Sequence, residues 1–121
     1  MGAPLILRLK NRIEDEHNLL SSNLNTNNDG TEVSAELTDD VSKYNIFFVA
    51  ISKTTEGKEE TTVAVLNKDV YNYFRLFSGN KDYYVEVAVK IGTDNKIYMQ
   101  TRDISGWQWR DNIAITKVVG I

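Results

Sequence analysis

Two tryptophans near the C-terminus are the residues of this chain best suited to binding chemistry. On an extended strand, Trp107 and Trp109 would project from the same face, roughly 6 to 7 Å apart. Two indoles side by side cover the apolar face of a sugar ring, while polar neighbours bind its hydroxyls. The sequence therefore predicts a ligand-binding surface made of Trp107, Trp109, Arg110, Asp111 and Asn112.

The same two tryptophans have a second interpretation, in which they pack into the core or against a neighbouring subunit. Large aromatic side chains are found more often in such places than on a ligand-binding surface. We expect the two residues to differ, with Trp109 nearer the buried strand and Trp107 nearer the loop tip beside Gly106.

Catalytic chemistry is not expected, because the residue types that it needs are missing or badly spaced. The chain has one histidine, His17, and no cysteine, so it cannot form a zinc site. We interpret His17 as a surface or capping residue. No serine lies in a nucleophile-elbow context. We therefore predict no catalytic residue, no metal and no cofactor.

The spacing of the acidic residues also argues against catalysis. Neighbours on a strand point to opposite faces, so neither Asp39-Asp40 nor Glu59-Glu60 can converge on one atom. Both pairs are interpreted as solvated turn charges. Asp94 and Asn95 could offer oxygens to calcium, but two ligands in one hairpin turn are too few for a site.

Composition indicates one globular domain and excludes several classes of protein. The 121 residues are 41% hydrophobic and 26% charged, which is ordinary for a globular chain. A net charge of −3 argues against nucleic acid as a partner. No apolar run is long enough for membrane insertion, and residues 3–9 are too short for a signal-peptide core.

Alternating apolar and polar residues predict β-strands over most of the chain. One strand covers residues 33–37, and residues 44–51 are nearly all apolar, as in a central strand covered on both faces. Residues 54–60 form a charged hairpin tip around Gly57, and residues 61–66 return as its second strand.

The second half continues this pattern after one ambiguous segment. Residues 67–77 fit either a helical face or a strand, and we favour a short helix or irregular crossover. Alternation then predicts strands over 83–91 and 96–101, joined by a turn at 92–95, and a last strand over 113–121. Six or seven short strands predict an all-β fold, an antiparallel β-sandwich.

The N-terminal segment differs from the rest of the chain. Ile6, Leu9, Ile13 and Leu20 follow helical spacing, so residues 1–17 are either an amphipathic helix or linker, or the end of a trimeric stalk. In the stalk interpretation these four residues form the oligomer interface. The chain then divides into a helix or stalk linker, residues 1–17, and a β-sandwich domain, residues 18–121.

Three segments, in this order along the chain, resemble a known family. They are Leu-Leu-Ser-Ser-Asn at 19–23, the strand at 33–37 with Ser-Lys-Tyr-Asn-Ile at 42–46, and Ile-Thr-Lys-Val-Val-Gly-Ile at 115–121. Together they resemble the C-terminal tip domains of bacteriophage fibres and related virion appendages, in which a similar strand commonly ends the polypeptide. The resemblance covers residues 18–121. Val119 stands where that family often has an aromatic residue, and the Trp-Gln-Trp segment is not one of its marks.

The resemblance implies a jelly-roll-like sandwich that forms a homotrimer at a fibre end, in contact with other virion proteins. Such a protein is made in the host cytoplasm and belongs to the virion. Combined with the tryptophans, it leads us to expect host attachment through a cell-surface carbohydrate. The alternative is a structural appendage, head-fibre or decoration domain without a ligand.

Overall fold

The computed structural model of the chain describes residues 17–26, 30–55, 58–78, 80–103 and 112–121. Eight strands account for most of these residues. They are β1 (Leu24–Asn25), β2 (Val33–Glu36), β3 (Phe47–Thr55), β4 (Lys58–Leu66), β5 (Asn72–Ser78), β6 (Asn80–Ile91), β7 (Lys96–Asp103) and β8 (Asn112–Gly120). A 3-10 turn, Val41–Lys43, lies between β2 and β3.

The strands form two four-stranded antiparallel sheets, which confirms the predicted all-β sandwich. Sheet A has the order β1-β8-β3-β4, and sheet B has the order β2-β7-β6-β5. The first strand thus lies beside the last in one sheet, and the second beside the second-last in the other, which gives the fold its jelly-roll-like wrap. The strands in the middle of the chain pair as sequential neighbours, β3 with β4, and β6 with both β5 and β7.

Alternation along the strands places the core between the two sheets. On β6, the apolar side chains of every second residue are buried, namely those of Val85, Val87, Val89 and Ile91. Ile97 and Met99 of β7 face the same core. Phe47, Val49 and Ile51 of β3 meet them from sheet A. The residues between these positions face away from the core because side chains alternate on a strand.

Two predictions about individual strands are wrong in part. Residues 67–77 contain no helix: residues 67–71 cross between the sheets and β5 begins at Asn72. Phe74 and Leu76 pack on the core while Tyr73 is exposed, which is the period of a strand. On β3, Phe48 is only half-buried, so this strand is not covered on both faces. The described residues also form eight strands and not the predicted six or seven.

The predicted terminal strand is confirmed, and it lies inside sheet A. β8 pairs with β1 on one side and with β3 on the other. Its end is fastened to the start of β3 by backbone hydrogen bonds, since Asn45 N–H donates to the Ile121 carbonyl at 2.8 Å and Ile121 N–H donates to the Ile46 carbonyl at 2.9 Å. The C-terminus therefore closes the sheet.

The Asn18 side chain stabilises β8 where its pairing with β3 is irregular. The β3–β8 register shifts between Ala50 and Ile51, which leaves Thr116 as an extra residue on β8. The Asn18 amide donates to the Thr116 carbonyl at 3.0 Å, and its oxygen accepts from Val118 N–H at 2.9 Å. Backbone groups that a bulge would leave unpaired are thus satisfied by Asn18.

The loops at one end of the sandwich are joined by a single asparagine. Asn95 has a left-handed backbone with φ of 69°, which asparagine tolerates better than most residues. Its amide donates to the carbonyls of Leu37 and Asp39 at 3.1 and 2.9 Å, and its oxygen accepts from Val41 N–H at 2.8 Å. The β6–β7 turn is thereby fixed to the loop after β2.

The N-terminal predictions fall mostly outside the described residues. Ile6, Leu9 and Ile13 lie there, as does nearly all of the proposed helix or stalk linker. Leu20 is described, and it is buried in the sandwich core at 6% exposure, so its apolar surface is already covered by its own domain. His17 is exposed, as interpreted. Within the described ranges no helix is long and apolar enough to span a membrane.

The close packing of Gly120 against Tyr44 gives a test of how β8 completes sheet A. A Cβ at position 120 would lie 2.4 Å from Cγ of the Tyr44 ring, which is buried. We expect Gly120→Ala to lower the free energy of unfolding by about 1–3 kcal/mol, as overpacking usually does. In a Tyr44→Ala background the same change should cost clearly less, because the clashing ring is gone. Urea unfolding of the four proteins measures this coupling, and equal costs in both backgrounds would contradict the packing.

Candidate functional site

The outer face of sheet B, which points away from the core, carries the best candidate site. Strand pairing places its side chains in rows across the sheet. In the middle row, Ala88 of β6 lies between Tyr73 of β5 and Gln100 of β7. In the row on one side Lys90 is opposite Tyr98, and in the row on the other side Glu86 is opposite Arg75.

The smallest side chain of this face is at its centre, and a cavity forms around it. Ala88 is flanked along β6 by Glu86 and Lys90 and across the sheet by Tyr73 and Gln100, all of which are longer. A cavity of about 480 Å³ is lined by Gly30, Tyr73, Glu86, Ala88, Gln100 and Thr101. This volume lies within the range of small-ligand sites. Ala88 itself is buried, at 3% exposure, so the accessible walls of the cavity belong mainly to its longer neighbours.

In the row of strand partners next to that of Ala88, the Lys90 side chain brings two tyrosine rings together on the outer face of sheet B. The Lys90 ammonium lies over the rings of Tyr71 and Tyr98, 4.8 and 5.0 Å from their centroids. Tyr71 precedes β5, yet its hydroxyl donates to the Glu32 carboxylate beside β2 at 2.5 Å. Since β5 and β2 are the two edges of sheet B, Tyr71 lies across its outer face. We call Glu32, Tyr71, Lys90 and Tyr98 the belt.

Carboxylates fix both tyrosines of the belt in their protonated form. The hydrogen bond to Glu32, with some burial, raises the pKa of Tyr71 to about 12. The Tyr98 hydroxyl donates to the Asp94 carboxylate, and this bond raises the pKa of Tyr98 and lowers that of Asp94. A phenol that donates to a carboxylate has its ring orientation fixed, so both rings are held in place beside Lys90.

The lining of the cavity combines one apolar surface with several polar groups. Tyr73 is 62% exposed, and its ring lies 6.4 Å from that of Tyr71. Gln100 is exposed, and Glu86 is half-buried. Thr101 lies opposite the core residue Val87, so its buried hydroxyl faces the core and not the cavity. An aromatic ring beside an amide and a carboxylate suits a ligand with an apolar face and several hydroxyls.

A second cavity, of about 520 Å³, lies between the loop after β2 and the β6–β7 turn, but its acidic groups serve the loops. Asp39 accepts from the Tyr44 hydroxyl at 2.7 Å and from the Lys43 ammonium at 2.9 Å, and these bonds hold the pKa of Asp39 well below its usual range. Asp40 caps the 3-10 turn by accepting from Ser42 N–H. These residues are therefore loop caps and not merely solvated charges.

Metal binding finds no support in this region. Asp94 accepts from Tyr98, and Asn95 holds three backbone groups, so the two oxygens considered for calcium are already engaged. Across the described parts of the chain, no group of three or more His, Cys, Asp or Glu side chains is placed to hold a metal ion.

The site predicted from the tryptophans lies almost wholly outside the described residues. This holds for Trp107, Trp109, Arg110 and Asp111. Asn112 is the first residue of β8, where its backbone pairs with Thr54, and its side chain is not among those described. The structure therefore leaves the tryptophan surface as a prediction. No protein family matches the chain, and neither a curated protein nor a solved structure matches it.

The residues of the outer face were missed because no local motif marks them. Alternation already placed Glu86, Ala88 and Lys90 on the polar face of their strand. What it could not supply was the register that puts Tyr73 and Gln100 beside Ala88. An alanine between long polar residues on the exposed face of a strand is the signal that could have indicated a cavity.

The Tyr71–Glu32 bond gives a test of the belt. The fold holds Tyr71 in its protonated form, so the Tyr71–Glu32 hydrogen bond stabilises the folded state fully below about pH 10. This stabilisation is lost as the pH rises through about 12. We expect Glu32→Gln to lower the pKa of Tyr71 towards the ordinary value of about 10, because the acceptor loses its charge. Tyrosinate absorbance, with Tyr71→Phe to assign the transition, measures this.

Glu36→Gln is the matched control, because Glu36 is an exposed carboxylate on β2 that lies opposite Lys96. It should leave the Tyr71 transition where it is in the unaltered protein. If Glu32→Gln and Glu36→Gln gave the same titration as the unaltered protein, the belt would not exist as described.

Proposed function

We propose that this chain is a carbohydrate-binding attachment domain, the tip of a virion fibre, and that it binds its glycan on the outer face of sheet B. The single observation that carries the proposal is the cavity over Ala88, walled by the exposed ring of Tyr73 and lined with hydrogen-bonding groups. The tryptophan surface around residues 107–112 is a second place for contact with the same glycan.

A saccharide is the ligand class that this lining favours. A pyranose ring has one apolar face, which packs on an aromatic side chain, and hydroxyls around its edge that both donate and accept. Tyr73 offers the ring, while Glu86 and Gln100 offer an acceptor and an amide. Tyr73 and Gln100 are exposed on this face, as residues that contact a cell-surface glycan must be.

The virion setting rests on the resemblance over residues 18–121. It leads us to propose a homotrimer, which sedimentation equilibrium of the whole chain would detect. The apolar stripe that would join the three subunits is reduced to Ile6, Leu9 and Ile13, because Leu20 belongs to the core of its own domain. A head-fibre or decoration domain without a ligand is the alternative that the binding experiment addresses.

The Tyr73 side chain gives the decisive variant. We expect Tyr73→Ala to weaken glycan binding by at least about 1 kcal/mol, as loss of an exposed aromatic anchor does. Its melting temperature should change by no more than a few degrees, because exposed substitutions are usually near neutral. A glycan array with neutral and acidic oligosaccharides, followed by calorimetry on the strongest ligand, measures binding. Thermal melting of each protein measures stability.

Val63→Ala is the matched control. Val63 is also 62% exposed, but it lies on β4 in the opposite sheet, so its truncation should leave binding unchanged. Binding that is equal in both variants would remove the outer face of sheet B from the proposal. Absence of binding to every glycan by the unaltered trimer would favour the structural alternative.

A further inference from the structure

We propose that Glu86 sets the specificity of this site, and that the ligand is a neutral saccharide that donates two neighbouring hydroxyls to the Glu86 carboxylate. This inference rests on the proposed function and specifies the chemical class of the ligand. The observation that carries it is the position of Glu86, which lines the cavity and lies between two arginines in the strand register.

Glu86 lies at the cavity, on the side of Ala88 that points away from Lys90. It precedes Ala88 by two residues on the same face of β6, a separation of about 6.6 Å along the strand. Tyr73 and Gln100, the strand partners of Ala88, line the same cavity from β5 and β7. Glu86 is half-buried, so a ligand that packs on Tyr73 meets its side chain.

The counter-charges of Glu86 come from the sheet itself. Its partner on β5 is Arg75, and its partner on β7 is Arg102. Residues that are paired in this way have Cβ atoms about 5 Å apart, and opposite charges at such positions attract each other. A ligand therefore does not have to bring a cation to balance the Glu86 carboxylate. What the carboxylate offers a ligand is its acceptor sites, of which it has about four.

A carboxylate on the ligand would find no cation among the described residues that line the cavity. Of those residues, Glu86 is the one with a charged side chain. The ammonium of Lys90 lies over the rings of Tyr71 and Tyr98, in the next row of the sheet. An acidic sugar would therefore bring a second carboxylate beside Glu86 and lose hydration without gaining an opposite charge. A neutral sugar carries no such penalty.

The hydroxyls of a neutral pyranose match what the lining offers. A carboxylate only accepts hydrogen bonds and a hydroxyl donates one, so two neighbouring hydroxyls can each donate to one oxygen of Glu86. The Gln100 amide both donates and accepts, and it can serve a further hydroxyl. The apolar face of the sugar then packs on Tyr73. The saccharide is thereby bound by one ring, one carboxylate and one amide from three adjacent strands.

The experiment first compares each neutral sugar with its acid. Oligosaccharides of glucose, galactose and mannose are measured by calorimetry beside those of glucuronic, galacturonic and mannuronic acid, at low salt. We expect the unaltered protein to bind at least one neutral sugar about tenfold or more tightly than its acid. Monodeoxy forms of that sugar then locate the two hydroxyls, since the loss of either should weaken binding about tenfold.

Glu86→Gln, which keeps the shape of the side chain and removes its charge, assigns the preference. It should weaken binding of the neutral sugar about tenfold and bring the affinity for the acid to the same level, so that the discrimination is lost. Glu36→Gln is the matched control, since Glu36 is an exposed carboxylate on β2, opposite Lys96, and it should behave like the unaltered protein. Thermal melting verifies that each variant is folded.

Two results would overturn the inference. One is an affinity for the acid that equals or exceeds that for the neutral sugar in every pair, and the other is a discrimination that survives Glu86→Gln. If either occurred while Tyr73→Ala still weakened binding, the proposed function would stand and only the neutral ligand would fail. If the unaltered protein bound neither form of any pair, both proposals would fail. The comparison of sugars uses the unaltered protein, so it is decisive even where Glu86→Gln does not fold.

Discussion

The position of β8 in the middle of sheet A is the constraint on which the rest of the fold depends. β8 is the last of the described strands in chain order, and both of its edges are paired, one with β1 and the other with β3. Sheet A therefore cannot be completed until the whole domain is present. The hydrogen bonds between Ile121 and the Asn45–Ile46 segment complete this arrangement at the C-terminus.

Sheet B has a simpler topology than sheet A. β5, β6 and β7 are antiparallel neighbours in chain order. Most side chains on their outer face are half-buried or exposed. Alternate residues of β6 pack in the core, and the residues between them lie on the outer face, where Ala88 is buried and Glu86 and Lys90 are half-buried. Glu86, Ala88 and Lys90 occupy those positions, and they give the face its cavity and its charges.

Much of the fold could be predicted from the sequence because alternation is a local property. The strands containing Val85–Val89 and Ile97–Met99, and the terminal strand, were all indicated by their own residues. β5 was not, because Val70, Tyr73, Phe74 and Phe77 satisfy a helical spacing as well as a strand. Pairing with β6 decides between the two, and this pairing is a property of the folded chain.

The candidate site was harder to predict than the fold for the same reason. The sequence indicated Trp107 and Trp109, which are large and only two residues apart. The outer-face site combines Tyr73, Ala88 and Gln100 from three strands, and none of them is unusual alone. They come together only because the strand register places Ala88 between the longer side chains of Tyr73 and Gln100.

The most direct test of the account is to locate a bound oligosaccharide by amide chemical shifts in nuclear magnetic resonance. The strongest ligand from the glycan array would be titrated into the isotope-labelled chain. The account predicts that the largest shifts map to β5, β6 and β7 around Tyr73, Ala88 and Gln100. Shifts confined to sheet A, or to residues 104–111 with the outer face of sheet B unaffected, would contradict it.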